Sequence, residues 1–286
     1  MKNKASILIS STDSYNDCWE PFFNLFEKNF SDISNYNIYL ISDTKTYEGH
    51  DFVKNITVSK NGRILSWSDR MLKALDQIDS EVIFLLFDDY FLMSMLNNNK
   101  FIEFENLMYE NKNIANLRLV HKTNSFPSSF NNLYQLKNIS SYKNSLQPGF
   151  WRKQDLINLI QKGESPWQFE LLGTIRAFFY PKLFLVVSNQ LSGKIYDTMH
   201  YGAIIKGNWI SSEYEKIKKL TGLSLKSNRN ITVILPNKNN FLRKLKLLIQ
   251  ITKNKKYILK SIIFLCNNII NRMNFKIVKK SIYFKE

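Results

Sequence analysis

The sequence predicts an α/β fold in which a mostly parallel sheet is flanked by helices. Over the first ninety residues, apolar segments of strand length alternate with segments whose apolar residues recur every three or four positions, as in helices packed on a sheet. The segment VIFLLF at 82–87 is apolar throughout. Such a run is typical of a strand covered on both faces at the centre of a parallel sheet.

The elements follow from this pattern in chain order. Ser66 and Asp69 resemble a capping box at the start of one helix. In the first part of the chain we predict strands over 5–9, 36–41, 52–58 and 82–87, and helices over 15–30 and 66–78. Beyond them we predict a helix over 101–108, a strand over 115–120, a polar region of loop with short strands over 121–144, helices over 154–161 and 164–179, strands over 183–187 and 193–196, and a helix over 212–220.

Positive charge is concentrated at the end of the sequence. The 286 residues carry a net charge of +16, and residues 241–286 contain twelve Lys and Arg against one acid. Apolar residues in this segment keep helical spacing, which is typical of helices at an anionic membrane surface, although the same apolar face could pack on the domain instead. We predict a folded domain over 1–220, a linker over 221–240 and a basic amphipathic helical tail over 241–286.

Several functional classes lose support from what the sequence lacks. It has no Gly-x-Gly-x-x-Gly after the first strand and no P-loop motif, so a dinucleotide oxidoreductase or P-loop enzyme is not indicated. Cys18 and Cys266 lie far apart without metal-ligand spacing, which fits a reducing cytosol. The first apolar run is shorter than a signal-peptide core, and no segment reaches the ~20 apolar residues of a membrane span.

Two adjacent carboxylates, Asp88 and Asp89, follow the apolar strand predicted at 82–87. In open α/β sheets, ligands bind outside the carboxyl ends of the strands. Neighbouring acids repel each other unless solvent or a cation lies between them, and oxygen ligands suit Mg²⁺ or Mn²⁺ and therefore a phosphorylated substrate. The alternative is that the two acids open a turn or cap the next helix.

Other titratable residues have both a structural and a functional interpretation. Asp13, after the first strand, would accept hydrogen bonds from a base or ribose, or cap the helix that follows. Glu164 and Glu170 lie at the start of a helix, where the dipole favours an acid, and one of them could face the crevice as a general base. His200 could complete a metal site, although a lone His is more often structural.

Five segments taken together resemble bacterial GT-A-type glycosyltransferases of polysaccharide biosynthesis (capsule, O-antigen or lipooligosaccharide). The segments are ILISSTD at 7–13, WSDR at 67–70, FDDYF at 87–91, LQPGFW at 146–151 and ESPWQFE at 164–170. The resemblance implies a GT-A-like, Rossmann-type sheet. It also implies an enzyme that moves a sugar from a nucleotide-sugar donor to a hydroxyl of a saccharide or lipid-linked saccharide acceptor, in a metal-assisted, inverting reaction.

The resemblance implies a donor held at the carboxyl edge of the sheet, with Asp13 and Asp43 near the base and ribose. The family's Asp-x-Asp motif binds a divalent metal, Mn²⁺ or Mg²⁺, on the donor diphosphate. Here it is matched only by the contiguous Asp88 and Asp89, so which acid is the ligand, and whether a metal is needed, both stay open. His200 is a third candidate ligand.

The resemblance also suggests residues for the diphosphate and the base. Arg70 or Lys153 could neutralise the diphosphate in place of a metal. Glu170 is the first choice of general base, ahead of Glu164. The nucleotide-sugar-binding candidates that complete the set are Trp67, Asp69, Asp88, Trp151, Arg152, Lys153 and Trp167.

The tail and the resemblance indicate the same location. Polysaccharide precursors grow on lipid carriers at the inner leaflet, so we expect a cytoplasmic protein bound peripherally to the inner face of the cell membrane. Two alternatives stay open. One is a non-catalytic scaffold of the same fold that binds sugar or lipid. The other is a nucleic-acid-binding protein. It is the weaker alternative, because the basic residues lie on an apolar-faced tail rather than among aromatics on a sheet.

Overall fold

A computed structural model describes residues 4–59, 64–199, 202–225 and 227–233. Within these ranges the strands are β1 (Ser6–Ser10), β2 (Ile38–Ser42), β3 (Val53–Thr57), β4 (Val82–Phe87), β5 (Ile114–Arg118), β6 (Ser125–Pro127), β7 (Leu133–Leu136), β8 (Gly149–Arg152), β9 (Leu183–Val187), β10 (Ile204–Ile205), β11 (Asn208–Ile210) and β12 (Ile231–Thr232). The helices are α1 (Trp19–Asn29), α2 (Trp67–Asp76), α3 (Asn98–Glu110), α4 (Lys153–Leu159), α5 (Pro166–Arg176) and α6 (Ser211–Thr221), with 3-10 turns over Asp13–Cys18 and Ile33–Asn35.

The fold is α/β, built on a nine-stranded mixed sheet in the order β3-β2-β1-β4-β8-β5-β9-β7-β6. β1 pairs in parallel with both β2 and β4, with Leu8 opposite Leu85. β8 runs antiparallel to β4 and to β5, and β9 is parallel to β5. The carboxyl ends of β1, β2, β4, β5 and β9 therefore lie at one edge of the sheet.

β4 is an inner strand covered on both faces, as the apolar run predicts, but only β1 is parallel to it, and its other neighbour, β8, is antiparallel. The first five residues of β4 are buried. Phe84 packs on one face against Phe101 of α3 and Phe150 of β8, with ring centroids 4.8 and 5.0 Å away. Ile83 and Leu85 join the other core, which α2, α4 and α5 cover. Because alternate side chains of a strand point to opposite faces, both cores are anchored on this strand.

The helices α2 and α5 begin at well-formed caps near the carboxyl edge. The Ser66 side chain accepts a hydrogen bond from the Asp69 backbone N–H at 3.1 Å, as the sequence predicts. At α5, Ser165 and Gln168 form a full capping box, with Pro166 in the first turn. Such caps satisfy N–H groups that the first helical turn leaves unpaired. Both helix starts are thereby fixed beside the edge where β4 ends.

One predicted strand has a different conformation in the structure, and two other predictions concern residues that the structure does not describe. The segment at 193–196, predicted as a strand, forms turns. A short three-stranded sheet of β10, β11 and β12 follows it. His200 and the predicted tail 241–286 lie outside the described residues. Among the residues that are described, no helix has both the length and the apolar character needed to cross a bilayer.

Candidate active site

Asp88 lies at the carboxyl end of β4, and only 2% of its surface is exposed. The Ser11 hydroxyl, just beyond β1, donates a hydrogen bond to its Oδ2. The indole N–H of Trp19 donates to the same hydroxyl at 2.7 Å. Two neighbouring strand ends and the start of α1 therefore fix the position of this carboxylate.

Asp89 is partly exposed and faces the segment that follows residue 201. The backbone N–H groups of Ala203 and Ile204 donate to it, the first to its carbonyl at 2.9 Å and the second to its carboxylate. Gly202 has φ +76° and lies so close that a Cβ there would overlap the carboxylate. A side chain at 202 would therefore strain the backbone and displace the Asp89 carboxylate.

Burial and the repulsion between the two carboxylates disfavour ionisation of the pair. Burial, followed by the charge of Asp89, raises the pKa of Asp88 well above its usual value. Burial also raises the pKa of Asp89 to about 7. A divalent cation would reverse this cost, because Mg²⁺ and Mn²⁺ bind to one or two carboxylates together with substrate phosphates. Among the described residues, no group of three His, Cys, Asp or Glu is placed to hold a metal ion.

Arg229, which the sequence prediction missed, is the cation beside this pair. Its charge lowers the pKa of both Asp88 and Asp89. It forms an ion pair with Asp17 at 2.9 Å, and its guanidinium lies 4.1 Å from the centre of the Tyr15 ring. Residue 229 falls in the predicted linker, where a lone Arg among Ser and Asn gave no signal.

A cavity of about 1200 Å³ opens beside Arg229, between the start of α1 and the segment 207–230. Asp17, Glu20, Lys45 and Arg229 are its charged lining residues. The carboxylate pair does not line this cavity. Arg229 connects the two, since it lines the cavity and also acts electrostatically on Asp88 and Asp89.

The structure brings Asp13, Asp43 and Arg70 together at the ends of β1 and β2. The Asp13 carboxylate accepts hydrogen bonds from the backbone N–H of Asp43, Thr44 and Lys45 at 3.0 to 3.1 Å. Burial raises its pKa, but the bonds from Thr44 and its neighbours outweigh that effect and lower it overall. Arg70 binds Asp43 at 3.1 Å. Asp13 therefore shapes the loop after β2 rather than presenting a free carboxylate.

Trp67 and Asp69 have structural roles at the start of α2. Trp67 is 4% exposed and packs on Phe169, with ring centroids 5.2 Å apart. Its indole N–H donates to the Ser10 hydroxyl at 3.1 Å. The Asp69 carboxylate accepts from the Ser66 hydroxyl at 2.6 Å. The prediction that Trp67 contacts the nucleotide is therefore corrected, because the ring is enclosed in the core.

Trp151, Arg152 and Lys153 lie away from the carboxyl edge, contrary to their predicted role. β8 runs antiparallel to β4, so Arg152 pairs with Val82 at the amino end of β4. Trp151 is fully buried, Arg152 donates to backbone carbonyls, and the Lys153 ammonium donates to the Ile78 carbonyl. Since β8 reverses direction, these residues reach the edge opposite Asp88.

Glu164 is also withdrawn from the crevice. It is fully buried and forms two hydrogen bonds with Arg176, at 2.7 and 2.8 Å, and Arg176 is fully buried as well. The ion pair fastens the loop before α5 to the end of that helix. Because both groups are shielded from solvent, Glu164 has no access to an acceptor hydroxyl, and we assign it a structural role.

Glu170 lies in the same helix but is partly exposed. Its Oε1 accepts hydrogen bonds from the Leu146 N–H at 2.8 Å and the Ser145 hydroxyl at 3.2 Å. Its Oε2 has no hydrogen bond within the described part of the chain. Burial raises its pKa, while the Leu146 bond and the charge of Arg118 oppose that rise. One oxygen is thus held in place and the other is free to accept a proton.

Tyr90 connects the two acidic groups. Burial raises its pKa, and the charges of Asp89 and Glu170 raise it further, so both carboxylates lie near this ring. Trp167 is 66% exposed one turn before Glu170, on the same face of α5. The carboxyl edge therefore has a carboxylate pair at the end of β4 and a single carboxylate beside an exposed indole on α5, and both act electrostatically on Tyr90.

Arg118 supports Glu170 from inside the protein. It is 2% exposed at the end of β5, and its guanidinium donates to the Tyr142 carbonyl at 2.8 Å. Burial lowers its pKa to about 10, and the charge of Glu170 opposes that decrease. The sequence prediction missed this residue, although a single base within the apolar strand predicted at 115–120 was a usable signal.

No family model matches the sequence, and neither does any curated protein sequence. Among solved structures, S. aureus TarS 1–349 is similar over 66% of this chain and 59% of that chain, at 15% identity and a TM-score of 0.46. The same fragment in complex with UDP matches 76% of this chain and 64% of that one, at 14% identity and a TM-score of 0.48. Mannosyltransferase PcManGT from Pyrobaculum calidifontis, in complex with GDP-Man and Mn²⁺, matches 66% and 55%, at 8% identity and a TM-score of 0.41.

This chain thus spans less than two thirds of the length of each of these structures. Because all three TM-scores lie below 0.5, the function has to be argued from the residues of the site.

Proposed function

We propose that this protein is a glycosyltransferase that moves a sugar from a nucleotide-sugar donor to a hydroxyl of a saccharide or lipid-linked saccharide. The observation that carries the proposal is the separation of two kinds of acidic group along one sheet edge. The pair Asp88 and Asp89 resists ionisation without a cation, while Glu170 has one oxygen anchored and one oxygen free. Inverting sugar transfer from a diphosphate uses a base on the acceptor hydroxyl and positive charge on the leaving diphosphate.

In this proposal, Asp88 and Asp89 would hold Mn²⁺ or Mg²⁺, and Arg229 adds positive charge beside the two carboxylates. The metal would supply charge stabilisation for the leaving diphosphate. The acceptor hydroxyl oxygen attacks the anomeric carbon from the face opposite the diphosphate. Oε2 of Glu170 takes the proton of that hydroxyl at the same time. The anomeric configuration then inverts, and the nucleoside diphosphate leaves.

The proposal is tested by the thermal stability of the full chain with UDP, GDP, CMP and ADP, each with and without Mn²⁺. We expect one nucleotide to raise the melting temperature strongly only when Mn²⁺ is present, because ligands that bind the native state stabilise it by mass action. Asp89→Asn should abolish the metal-dependent part of the increase. Asp51→Asn, the same change at an exposed turn, should leave it unchanged.

Two results would count against this assignment. If Asp89→Asn kept the full Mn²⁺-dependent increase, the carboxylate pair would not be the metal site. If no nucleotide stabilised the protein with or without metal, a non-catalytic scaffold of the same fold would become the better explanation. Such a scaffold would bind saccharide without turnover.

We also propose that the basic tail 241–286 binds the protein to the inner face of the cell membrane. Twelve basic residues and helical apolar spacing support this, at roughly 1 kcal/mol per basic residue near an anionic surface. In a flotation assay, the full chain should bind vesicles that contain anionic phosphatidylserine and should not bind neutral vesicles. A chain ending at residue 240 should lose this binding, and its retention on anionic vesicles would refute the proposal.

A further inference from the structure

A second cavity, of about 620 Å³, lies between the β6–β7 hairpin and the turn that follows β9. β9 is parallel to β5, so its carboxyl end lies at the same sheet edge as Asp88 and Glu170. In the sheet order, β9 is three strands from β4, which corresponds to about 14 Å at the usual strand spacing. The cavity therefore lies on the same sheet edge as the carboxylate pair, farther along toward the β6–β7 hairpin.

The lining of this cavity is polar but uncharged. It contains the amide side chains of Asn131, Asn132, Asn189 and Gln190, and no Lys, Arg, His, Asp or Glu. Within the described part of the chain, none of these four amides forms a hydrogen bond to another protein group. Each amide carries donors and an acceptor side by side, which suits the hydroxyl groups of a ligand.

Ser188 forms part of the cavity wall at the end of β9. It is 8% exposed, yet within the described part of the chain its hydroxyl has no hydrogen-bond partner. A buried polar atom without a partner is uncommon and costs free energy unless something else satisfies it. The Ser188 hydroxyl oxygen is enclosed, so the groups open to a ligand here are the exposed amides and not this hydroxyl.

The cavity is held in shape by backbone bonds across it. The Ser188 N–H donates to the Asn132 carbonyl at 2.9 Å, joining the hairpin to the turn after β9. Asn132 has φ +60°, a conformation that Asn tolerates better than most residues. The Ser128 hydroxyl accepts from the Phe130 N–H at 3.1 Å and donates to the Leu133 carbonyl at 2.9 Å. A preformed cavity loses less entropy when a ligand binds.

We infer that this cavity is a binding subsite for a neutral saccharide, the part of the acceptor that extends away from its reacting end at Glu170. The amides would pair with sugar hydroxyls, and the half-buried rings of Phe130 and Tyr134 would cover apolar sugar faces. The absence of a cationic lining residue argues against a phosphate or a nucleotide here. The inference rests on the proposed function, because only that function makes the edge an acceptor path.

The test is binding of neutral tetrasaccharides of glucose, galactose and N-acetylglucosamine to the full chain, measured by calorimetry and by saturation-transfer NMR. The Asn131→Ala/Asn189→Ala double variant should weaken binding of the best ligand about tenfold or more, through loss of two amide–hydroxyl hydrogen bonds. Both residues are exposed, so the fold should tolerate the change. Asn35→Ala, at another exposed Asn, should bind as the wild type does.

Equal affinity of the double variant and the wild type would overturn the inference, and so would binding to none of the tetrasaccharides. If a phosphorylated saccharide bound more strongly than the neutral tetrasaccharides, the inference that the ligand is neutral would be overturned. The double variant should keep the Mn²⁺-dependent nucleotide stabilisation. If nucleotides fail to bind while tetrasaccharides bind at this cavity, the proposed reaction fails but the saccharide subsite stands, so the two failures are distinguishable.

Discussion

Replacing Glu170 with Gln should lower kcat for sugar transfer by roughly 10² to 10⁴, the usual contribution of a general base. Gln keeps the size of the side chain and can still accept the bond from the Leu146 N–H, which Glu170 receives at 2.8 Å. It cannot accept a proton from the acceptor hydroxyl. Donor affinity, measured by nucleotide titration with Mn²⁺, should stay within a factor of about two because Glu170 is not part of the donor site.

The pH dependence separates a base from a merely structural residue. A base must be ionised to act, so the activity of the wild type should fall as the pH drops through the raised pKa of Glu170. With Mn²⁺ and donor saturating, so that Asp88 and Asp89 stay ionised, the part of this acid limb that comes from Glu170 should be absent from the residual activity of Glu170→Gln. Glu103→Gln, an exposed carboxylate on α3, is the matched control. Near-normal turnover of Glu170→Gln would remove Glu170 from the role.

Replacing Arg176 with Met should give the largest loss of stability, about 3–5 kcal/mol in the free energy of unfolding. The change leaves the Glu164 carboxylate fully buried without the partner that now lies 2.7 Å away. For a domain of this size, a loss of that magnitude corresponds to a decrease of roughly 6–20 °C in melting temperature. Urea denaturation followed by circular dichroism measures it directly.

A surface ion pair of similar length provides the comparison. Lys100 and Glu103 are 2.6 Å apart on α3 but remain in contact with solvent. Lys100→Met should therefore change the free energy of unfolding by no more than about 1 kcal/mol. Replacing both buried partners with apolar residues, as in Glu164→Leu/Arg176→Met, should restore much of the lost free energy of unfolding, because no lone charge remains. If Arg176→Met unfolded at the same urea concentration as the wild type, the buried pair would not stabilise the fold.

Local patterns predicted the first half of the sheet well. The unbroken apolar run at β4, the cap at Ser66 and the polar ends of the early strands are all signals carried by neighbouring residues, and the structure has these features. The direction of β8 is decided by pairing with β4 and β5, far away in sequence. Its four residues are all buried, so periodicity carries no information about direction.

In the candidate site, too, neighbouring residues indicate some features and long-range packing decides the others. Asp88 and Asp89 were found because a strand ends there, and Glu170 because it opens a helix. The buried pair of Glu164 and Arg176 was not separable from ordinary surface charge, since burial follows from packing and not from residue type. The amides of the hairpin cavity come from two segments nearly sixty positions apart, and neither segment has a motif of its own.

The pairing of Arg229 with Asp17 determines when the crevice is complete during synthesis. These two residues are separated by 212 positions. The strands β1 to β4 are complete by residue 87, but their two cores also need α3, β8, α4 and α5. The guanidinium that offsets the charges of Asp88 and Asp89 is made about 140 residues later than the acids themselves. The carboxylate pair therefore gains the guanidinium beside it only after all nine strands of the large sheet have been synthesised.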